Sequence, residues 1–390
     1  MKIIISTDNY YPNINGASLF SQRLAFYLKK QGHSVLVIAP SLTTHSEFST
    51  NNGIPIFGIR SIPILLYKRF RISLPYFMKK RIEKIIKEFD PDVIHFQGHF
   101  YVSKAVLSIA QKLKIPTVGT NHFMPENAVH YLHPPKFAEN LIKRWAWKQF
   151  RSVFERIDMV TCPTQTAVQV VQRNDLRKIA MAVSNGVDLS KFHVGNNGAY
   201  LKEKYKIPGE PILLYVGRID KEKNIDMVLR ALVLVTRKIN IHFVVAGDGE
   251  KKGELKKLIK ELNLEKFVSF TGYVPNEDLH NLYRIADCFI IAGAAELQSL
   301  VTMEAMASGL PVIALNALAL PELVKPGENG YLFEWNDING LAQDITRIFS
   351  DDLLRKKMAV KSLELIEDHD INNTIRKFES IYESLLKNNK

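Results

Sequence analysis

MKIIISTDNYYPNINGASLFSQRLAFYLKKQGHSVLVIAP (1–40) decides the fold. MKIIIS (1–6) is a β-branched run that reads as a strand. SLFSQRLAFYLKKQG (18–32) reads as a helix that stops at Gly32, and HSVLVIAP (33–40) is a second strand. A strand, a helix and a strand in succession make a βαβ unit, whose two strands run parallel and whose crossover is right-handed.

The same rhythm continues outward. RIEKIIKEF (81–89) is helical, DVIHFQ (92–97) a strand, SKAVLSIAQKLK (103–114) helical and PTVGTNH (116–122) a strand. A long helix is expected near 136–157, before the strand DMVTCPT (158–164). After the polar stretch VGNNGAYLKEKYKIPGEP (194–211) the pattern restarts with PILLYVGR (211–218) and NIDMVLRALVLVTRK (224–238). HFVVAGDG, FVSFTGYV, CFIIAG, PVIAL and YLF are further strands. The fold class is therefore α/β, with two doubly wound Rossmann-like domains at 1–190 and 200–365 and a last helical pattern at 366–390. Open α/β sheets bind ligands at the carboxyl ends of their strands, so a cleft between the two domains is the expected site.

A net charge of +12 and a pI near 9.4 call for an anionic partner: nucleic acid, an anionic membrane face or a phosphorylated substrate. The cations scatter along helices and no nucleic-acid module is recognisable, which argues against nucleic acid. The two cysteines, Cys162 and Cys288, lie in apolar runs and read as small buried hydrophobes rather than a disulfide framework. No apolar run approaches the 18 or so residues of a spanning helix, so the expected location is cytoplasmic and at most peripheral to a membrane.

Several constellations carry chemistry. In YVGRIDKEKNID, Arg218 and Lys223 flank a tight loop leading into a helix. Two cations beside a helix N-terminus suit a diphosphate; the alternative is loop charges paired with Asp220 or Glu222. In AELQSLVTMEAMASGLPVIA (295–314), Glu296 and Glu304 stand eight residues apart around a helix start near Ser299. On a continuous helix that step is about 12 Å and about 80°. With Glu296 in the loop, a sugar nucleotide lies naturally across the helix N-terminus. Glu296 would take hexose hydroxyls and Glu304 ribose hydroxyls, with the amides of Ser299, Leu300 and Val301 on the diphosphate. The alternative is a glutamate complementing the helix dipole plus a surface Glu304. Gly16, in PNING after the first strand, would let a substrate approach the backbone. His95, His99 and His122 fall near strand ends, where a histidine can bond a hydroxyl, stabilise developing charge or serve structure alone. Asp90-Pro-Asp92 precedes its strand and reads as a turn rather than a metal site. Two basic amphipathic stretches, 62–81 and 136–156, suit an anionic bilayer, or are ordinary surface elements with one apolar face.

The ordered set of motifs resembles the retaining glycosyltransferases of family 4, with the two-Rossmann architecture called GT-B. The motifs are NG after the first strand, GHSVLVIAP, PDVIHFQ, SNGVD (184–188), VGRIDKEKNID, AGDGE, FTGYV, the Glu-x7-Glu segment with EAMASGLPVIA, and PELVKPGENGYLF. The resemblance implies that Arg218 and Lys223 clamp the diphosphate, Glu296 holds the donor sugar and Glu304 the ribose. It implies a base-recognition turn near Gly272 to Val274, and N-domain contacts from Gly16 and from His99 or His122. It implies no metal, and a C-terminal helix that returns to the N-domain. The chain departs from the family pattern at Gly293, Ala295 and Ser299, at Asn-Ala-Leu (316–318), and at Gln97 in place of the second histidine of His-x-His.

IPILLYKRFRISLP with GTNHFMPENAVHYL is most similar to members that glycosylate membrane lipids, such as diacylglycerol glucosyltransferases and phosphatidylinositol mannosyltransferases. The expected activity is transfer of a hexose from a nucleotide sugar, UDP-glucose foremost, to a lipid hydroxyl such as that of diacylglycerol, at an anionic membrane surface. A soluble glycan acceptor and a non-catalytic nucleotide-sugar sensor are the alternatives.

Overall fold

A computed structural model describes residues 1–13, 15–64, 67–73, 78–125 and 136–388. The chain divides into two compact units, Met1–Asn185 with Asn372–Lys390, and Gly186–Ile371. Each is a doubly wound α/β unit built on a largely parallel sheet.

Unit 1 contains β1 (Lys2–Ser6), β2 (Ser34–Pro40), β3 (Glu47–Asn51), β4 (Ile54–Ile59), β5 (Ser61–Ile64), β6 (Tyr67–Ser73), β7 (Val93–Phe96), β8 (Thr117–Thr120), β9 (Met159–Cys162) and β10 (Ala180–Ala182). Its main sheet has the order β10-β9-β8-β7-β1-β2-β4-β3. Ile3, Ile4 and Ile5 of β1 are fully buried between two parallel neighbours, which is why the opening run is apolar without alternation. The helices are α1 (Gly16–Lys30), α2 (Lys79–Phe89), α3 (Tyr101–Leu113), α4 (Lys136–Phe154) and α5 (Gln165–Arg173).

The segment 47–73 departs from the expected helix-strand alternation. β3 pairs antiparallel with β4 at the sheet edge, and β5 and β6 form a separate antiparallel hairpin. Arg71 ties that hairpin by donating to Ser61 Oγ at 2.6 Å and Ser61 O at 3.1 Å. Part of the basic stretch 62–81 (65–66 and 74–77) and most of PENAVHYL (126–132) lie outside the described residues.

Unit 2 contains β11 (Ile212–Val216), β12 (His242–Ala246), β13 (Val268–Gly272), β14 (Cys288–Ile291), β15 (Val312–Leu315) and β16 (Gly330–Phe333), all parallel in the order β13-β12-β11-β14-β15-β16. Its helices are α6 (Ala199–Lys204), α7 (Ile225–Val235), α8 (Lys252–Glu261), α9 (Asn276–Leu282), α10 (Leu300–Ala307), α11 (Leu320–Leu323), α12 (Ile338–Ser350) and α13 (Asp352–Ile366). The chain order reverses between β11 and β14, so the carboxyl ends of those two strands flank the switch point where open sheets take ligands.

The final helix, α14 (Ile371–Asn388), belongs to unit 1 from Asn372 onward. Phe378 and Tyr382 are fully buried there. The Tyr382 hydroxyl lies 2.7 Å from His95 Nδ1, and Glu379 lies 2.7 Å from His33 Nε2. Among the described residues no helix is long and apolar enough to cross a membrane.

Candidate active site

Two glycines shape the loop after β11. Gly217 has φ +150° and Gly247, at the end of the neighbouring strand, has φ +145°. A Cβ on Gly247 would stand 1.8 Å from Gly217 O, so the two turns can pack only as glycines. The Tyr215 hydroxyl donates to Arg218 O at 2.6 Å. Asn224, left-handed at φ 48°, precedes α7 and donates to Ala292 O at 2.8 Å. This last bond joins the β11 loop to the end of β14 across the switch point.

Arg218 and Lys223 therefore stand on one side of that point, and Glu296 and the start of α10 on the other. Arg218 reaches Asp220 at 2.5 Å and Glu222 at 2.8 Å. Lys223 reaches Glu296 at 2.5 Å, with both side chains less than a fifth exposed. A Cβ on Gly293 would lie 2.7 Å from Glu296 Oε1, so the small residue at 293 makes room for this carboxylate. The two cations are thus matched by three carboxylates. These ion pairs hold both cations in fixed orientations.

Ser299 caps α10, its Oγ accepting from Thr302 N at 3.3 Å. Leu300 and Val301 open the helix, where first-turn amides have no intrahelical acceptor and attract anions. Glu304 is not a surface residue: it is 2% exposed, and the Tyr283 hydroxyl donates to its Oε2 at 3.0 Å. The interpretation as an exposed helix charge is corrected by that burial. A buried carboxyl group needs hydrogen-bond partners, and Tyr283, distant in sequence, supplies one. Gly272, at φ +71°, ends β13 beside the glycine pair, with Val274 buried and Tyr273 exposed.

In unit 1 the chain order reverses between β1 and β7. Asp8, which the sequence reading passed over, follows β1 and accepts from Phe100 N at 2.9 Å, Val102 N at 2.8 Å and Ser103 Oγ at 2.7 Å. It caps α3 from a neighbouring strand end; a polar residue just past an apolar strand is the only signal it leaves in sequence. Gly16 is the first residue of α1, which Asn15 caps, and nothing lies within 4 Å of where its Cβ would be. His99 is 1% exposed and enclosed by the rings of Phe100, Phe123 and Phe150. His122 is partly exposed, packs on Phe20, and lies 2.8 Å from Gln97 Oε1 through Nε2. His95 is fully buried between Tyr382 and Thr120.

Burial lowers all three histidines from 6.5 to about 3. Burial favours their neutral form, in which each ring can bond a hydroxyl. The unfolded chain binds protons that these buried rings refuse. The stability they contribute is intact above about pH 6.5 and is lost as pH falls toward about 3. His95 and His99 alone should each steepen the loss by up to about 1.4 kcal/mol per pH unit. Denaturant unfolding of the protein at pH 7 and pH 5 should show several kcal/mol of difference; equal midpoints would contradict the burial of these rings.

Asp90 ends α2 and Asp92 Oδ2 accepts from Lys2 N at 2.7 Å, so this pair makes a helix-to-strand turn. Cys162 and Cys288 are both buried.

Comparison with known proteins gives this geometry its class. A model described as Glycosyltransferase Family 4 matches residues 14–191, and one described as Glycosyl transferases group 1 matches residues 199–363. The chain belongs to the family 4 glycosyltransferases, and its two Rossmann-like units form the GT-B fold. The alpha-monoglucosyldiacylglycerol synthase of Streptococcus pneumoniae (strain ATCC BAA-255 / R6) is 31% identical over 341 residues, covering 85% of this chain and 75% of that one. Sucrose-phosphate synthase from Thermosynechococcus elongatus superposes with a TM-score of 0.81 at 19% identity, over 99% of this chain and 100% of that one. Anabaena Alr3699/HepE in complex with UDP and glucose superposes with a TM-score of 0.78 at 18% identity, over 98% and 100%.

Proposed function

We propose that this glycosyltransferase moves a hexose from a nucleotide sugar, with UDP-glucose as donor, to the hydroxyl of a membrane lipid such as diacylglycerol, retaining the anomeric configuration and using no metal. The observation that carries the donor half is the convergence of Arg218, Lys223, Glu296 and the start of α10 on one switch point. Two cations and a helix N-terminus neutralise a departing diphosphate, the largest electrostatic demand of the reaction. Glu296 then accepts from hexose hydroxyls once Lys223 turns to phosphate, and Glu304 accepts from the ribose. The turn at Gly272 to Val274 faces the base. Gly16 and His122 or His99 are the unit 1 contacts to the reacting sugar. We favour front-face attack, in which a diphosphate oxygen receives the acceptor proton. The complex of Alr3699/HepE with UDP and glucose supports a uridine nucleotide as leaving group.

The lipid acceptor rests on the similarity to a glucosyldiacylglycerol synthase and on the surface of α4. That helix turns Ala146, Trp147, Phe150 and Phe154 inward. Leu141 is 65% and Trp145 57% exposed, one helical turn apart, with Arg144 and Lys148 exposed beside them. An apolar stripe flanked by cations suits the headgroup region of an anionic leaflet, the expected station of a peripheral enzyme on the inner membrane face. Each basic residue there contributes about 1 kcal/mol of attraction. Arg144→Glu with Lys148→Glu should therefore weaken binding to phosphatidylglycerol vesicles by well over tenfold in flotation; unchanged flotation would remove this surface from the account.

The direct test supplies UDP-glucose, UDP-galactose and GDP-mannose in turn, with diacylglycerol vesicles or soluble oligosaccharides. Sugar transfer from UDP-glucose into the lipid phase is the expected result. Transfer only to soluble glycan would overturn the lipid acceptor, and binding without turnover would indicate a sensor.

A further inference from the structure

Among the described residues, nine besides glycine have a left-handed backbone, and eight of them have an ordinary reason for it. Four are Asn and two are Asp, whose short polar side chains tolerate that region. Lys114 caps the end of α3, and Lys206 follows α6, its amide donating to Glu203 O at 3.1 Å. The ninth is Leu318, at φ +46°. It is apolar, it follows strand β15 rather than a helix, and it lies in Asn-Ala-Leu (316–318), where the chain departs from the family pattern. In this region Cβ crowds the following carbonyl oxygen, so a leucine stays there only when its surroundings dictate it. They do: Asn316 N donates to Phe333 O at 2.8 Å, and Leu320 N donates to Ala317 O at 3.1 Å, closing a turn with Leu318 and Ala319 at its centre.

That turn reaches the candidate site. The Ala319 amide donates to Glu296 O at 3.3 Å. The loop that carries Glu296 is therefore tied on two sides. Toward β11, Ala292 O accepts from Asn224 Nδ2 at 2.8 Å and Ala294 N donates to Glu222 O at 3.3 Å; toward β15, Glu296 itself is held by Ala319. The direction of the Ala319 N–H depends on the backbone of the residue before it. A glycine at 318 would sample many conformations there, whereas a leucine that is left-handed occupies one narrow well.

We propose that Leu318 is a positioning residue: its left-handed backbone aims the Ala319 amide at Glu296, fixes the Glu296 loop, and so sharpens the choice between hexoses that differ at one hydroxyl. The role in sugar choice rests on the donor reading of Glu296 given above; the role in fixing the loop does not. Leu318→Gly removes the constraint, and Leu318→Asn keeps a residue that accepts left-handed backbone. Relief of strain and the added freedom of the unfolded chain oppose each other in Leu318→Gly, so its Tm should stay within about 3 °C of wild type. Amide exchange measured without substrate should be roughly fivefold faster or more at Ala319 and in the loop 293–298 of Leu318→Gly. The ratio of kcat/KM for UDP-glucose over UDP-galactose should fall about tenfold in the same variant. UDP carries no hexose, and its affinity should stay within about threefold of wild type. Leu318→Asn should restore both the slow exchange and the sugar ratio. Exchange within twofold of wild type in Leu318→Gly would overturn the proposal, as would equal losses in the Gly and Asn variants, which would assign the effect to the leucine side chain. Faster exchange in Leu318→Gly with a wild-type enzyme that does not distinguish the two sugars would support the tie to the loop and sink the sugar-binding role of Glu296.

Discussion

Arg218→Ala should lower turnover by about two to three orders of magnitude, the loss typical when one preorganised donor to developing charge is removed. The same substitution takes the guanidinium away from Glu222, which is 7% exposed, and from Asp220. Some stability must go with it, because a buried carboxylate that loses its cation is costly. The two effects separate in the double variant Arg218→Ala, Glu222→Gln. Neutralising the glutamate should recover much of the lost stability and none of the turnover. A double variant that regained activity would show Arg218 to be a structural partner of Glu222 and nothing more. Single-turnover kinetics in parallel with thermal unfolding decides this.

Gly247→Ala should be among the most destabilising substitutions in unit 2. Its Cβ would fall 1.8 Å from Gly217 O, a backbone atom, at a φ of +145° that side chains rarely adopt. Relief requires moving one strand-end turn away from the other, at a cost above about 3 kcal/mol. For a unit of this size that corresponds to a fall in Tm of roughly 6 °C or more. Gly209→Ala is the control, since nothing lies within 4 Å of the Cβ it would add. The displaced turn carries Arg218, so UDP affinity should fall with stability. Calorimetry of the two variants checks the contrast; equal transitions would mean that the β11 and β12 turns do not pack as described.

The parallel strands were legible because burial on both faces demands apolar runs, and IIIS, VLVIA, ILLYV and FVVA have no other sensible place. The segment 47–73 was not. β3 is an exposed edge strand of sequence EFSTN, and β4 carries Pro55 and Gly58, both of which weaken a strand pattern. Its pairing is decided by distant partners rather than by local period. At the candidate site, the places of Arg218, Lys223, Glu296 and Ser299 could be read because each lies in a strand-loop-helix passage visible locally. The environment of Glu304 could not, since it depends on Tyr283 folding back onto α10. The left-handed turn at Leu318 was equally hidden, since a leucine gives no local sign of positive φ. So was the contact of Gln97 with His122, because only the strand order brings β7 beside β8.

The most direct measurement is a crystal structure of the protein with UDP bound. The account predicts diphosphate density at the carboxyl ends of β11 and β14, with Arg218 and Lys223 drawn from their carboxylates onto phosphate oxygens and the first amides of α10 facing them. Nucleotide density elsewhere, with Arg218 still held by Asp220 and Glu222 and Lys223 still held by Glu296, would contradict it.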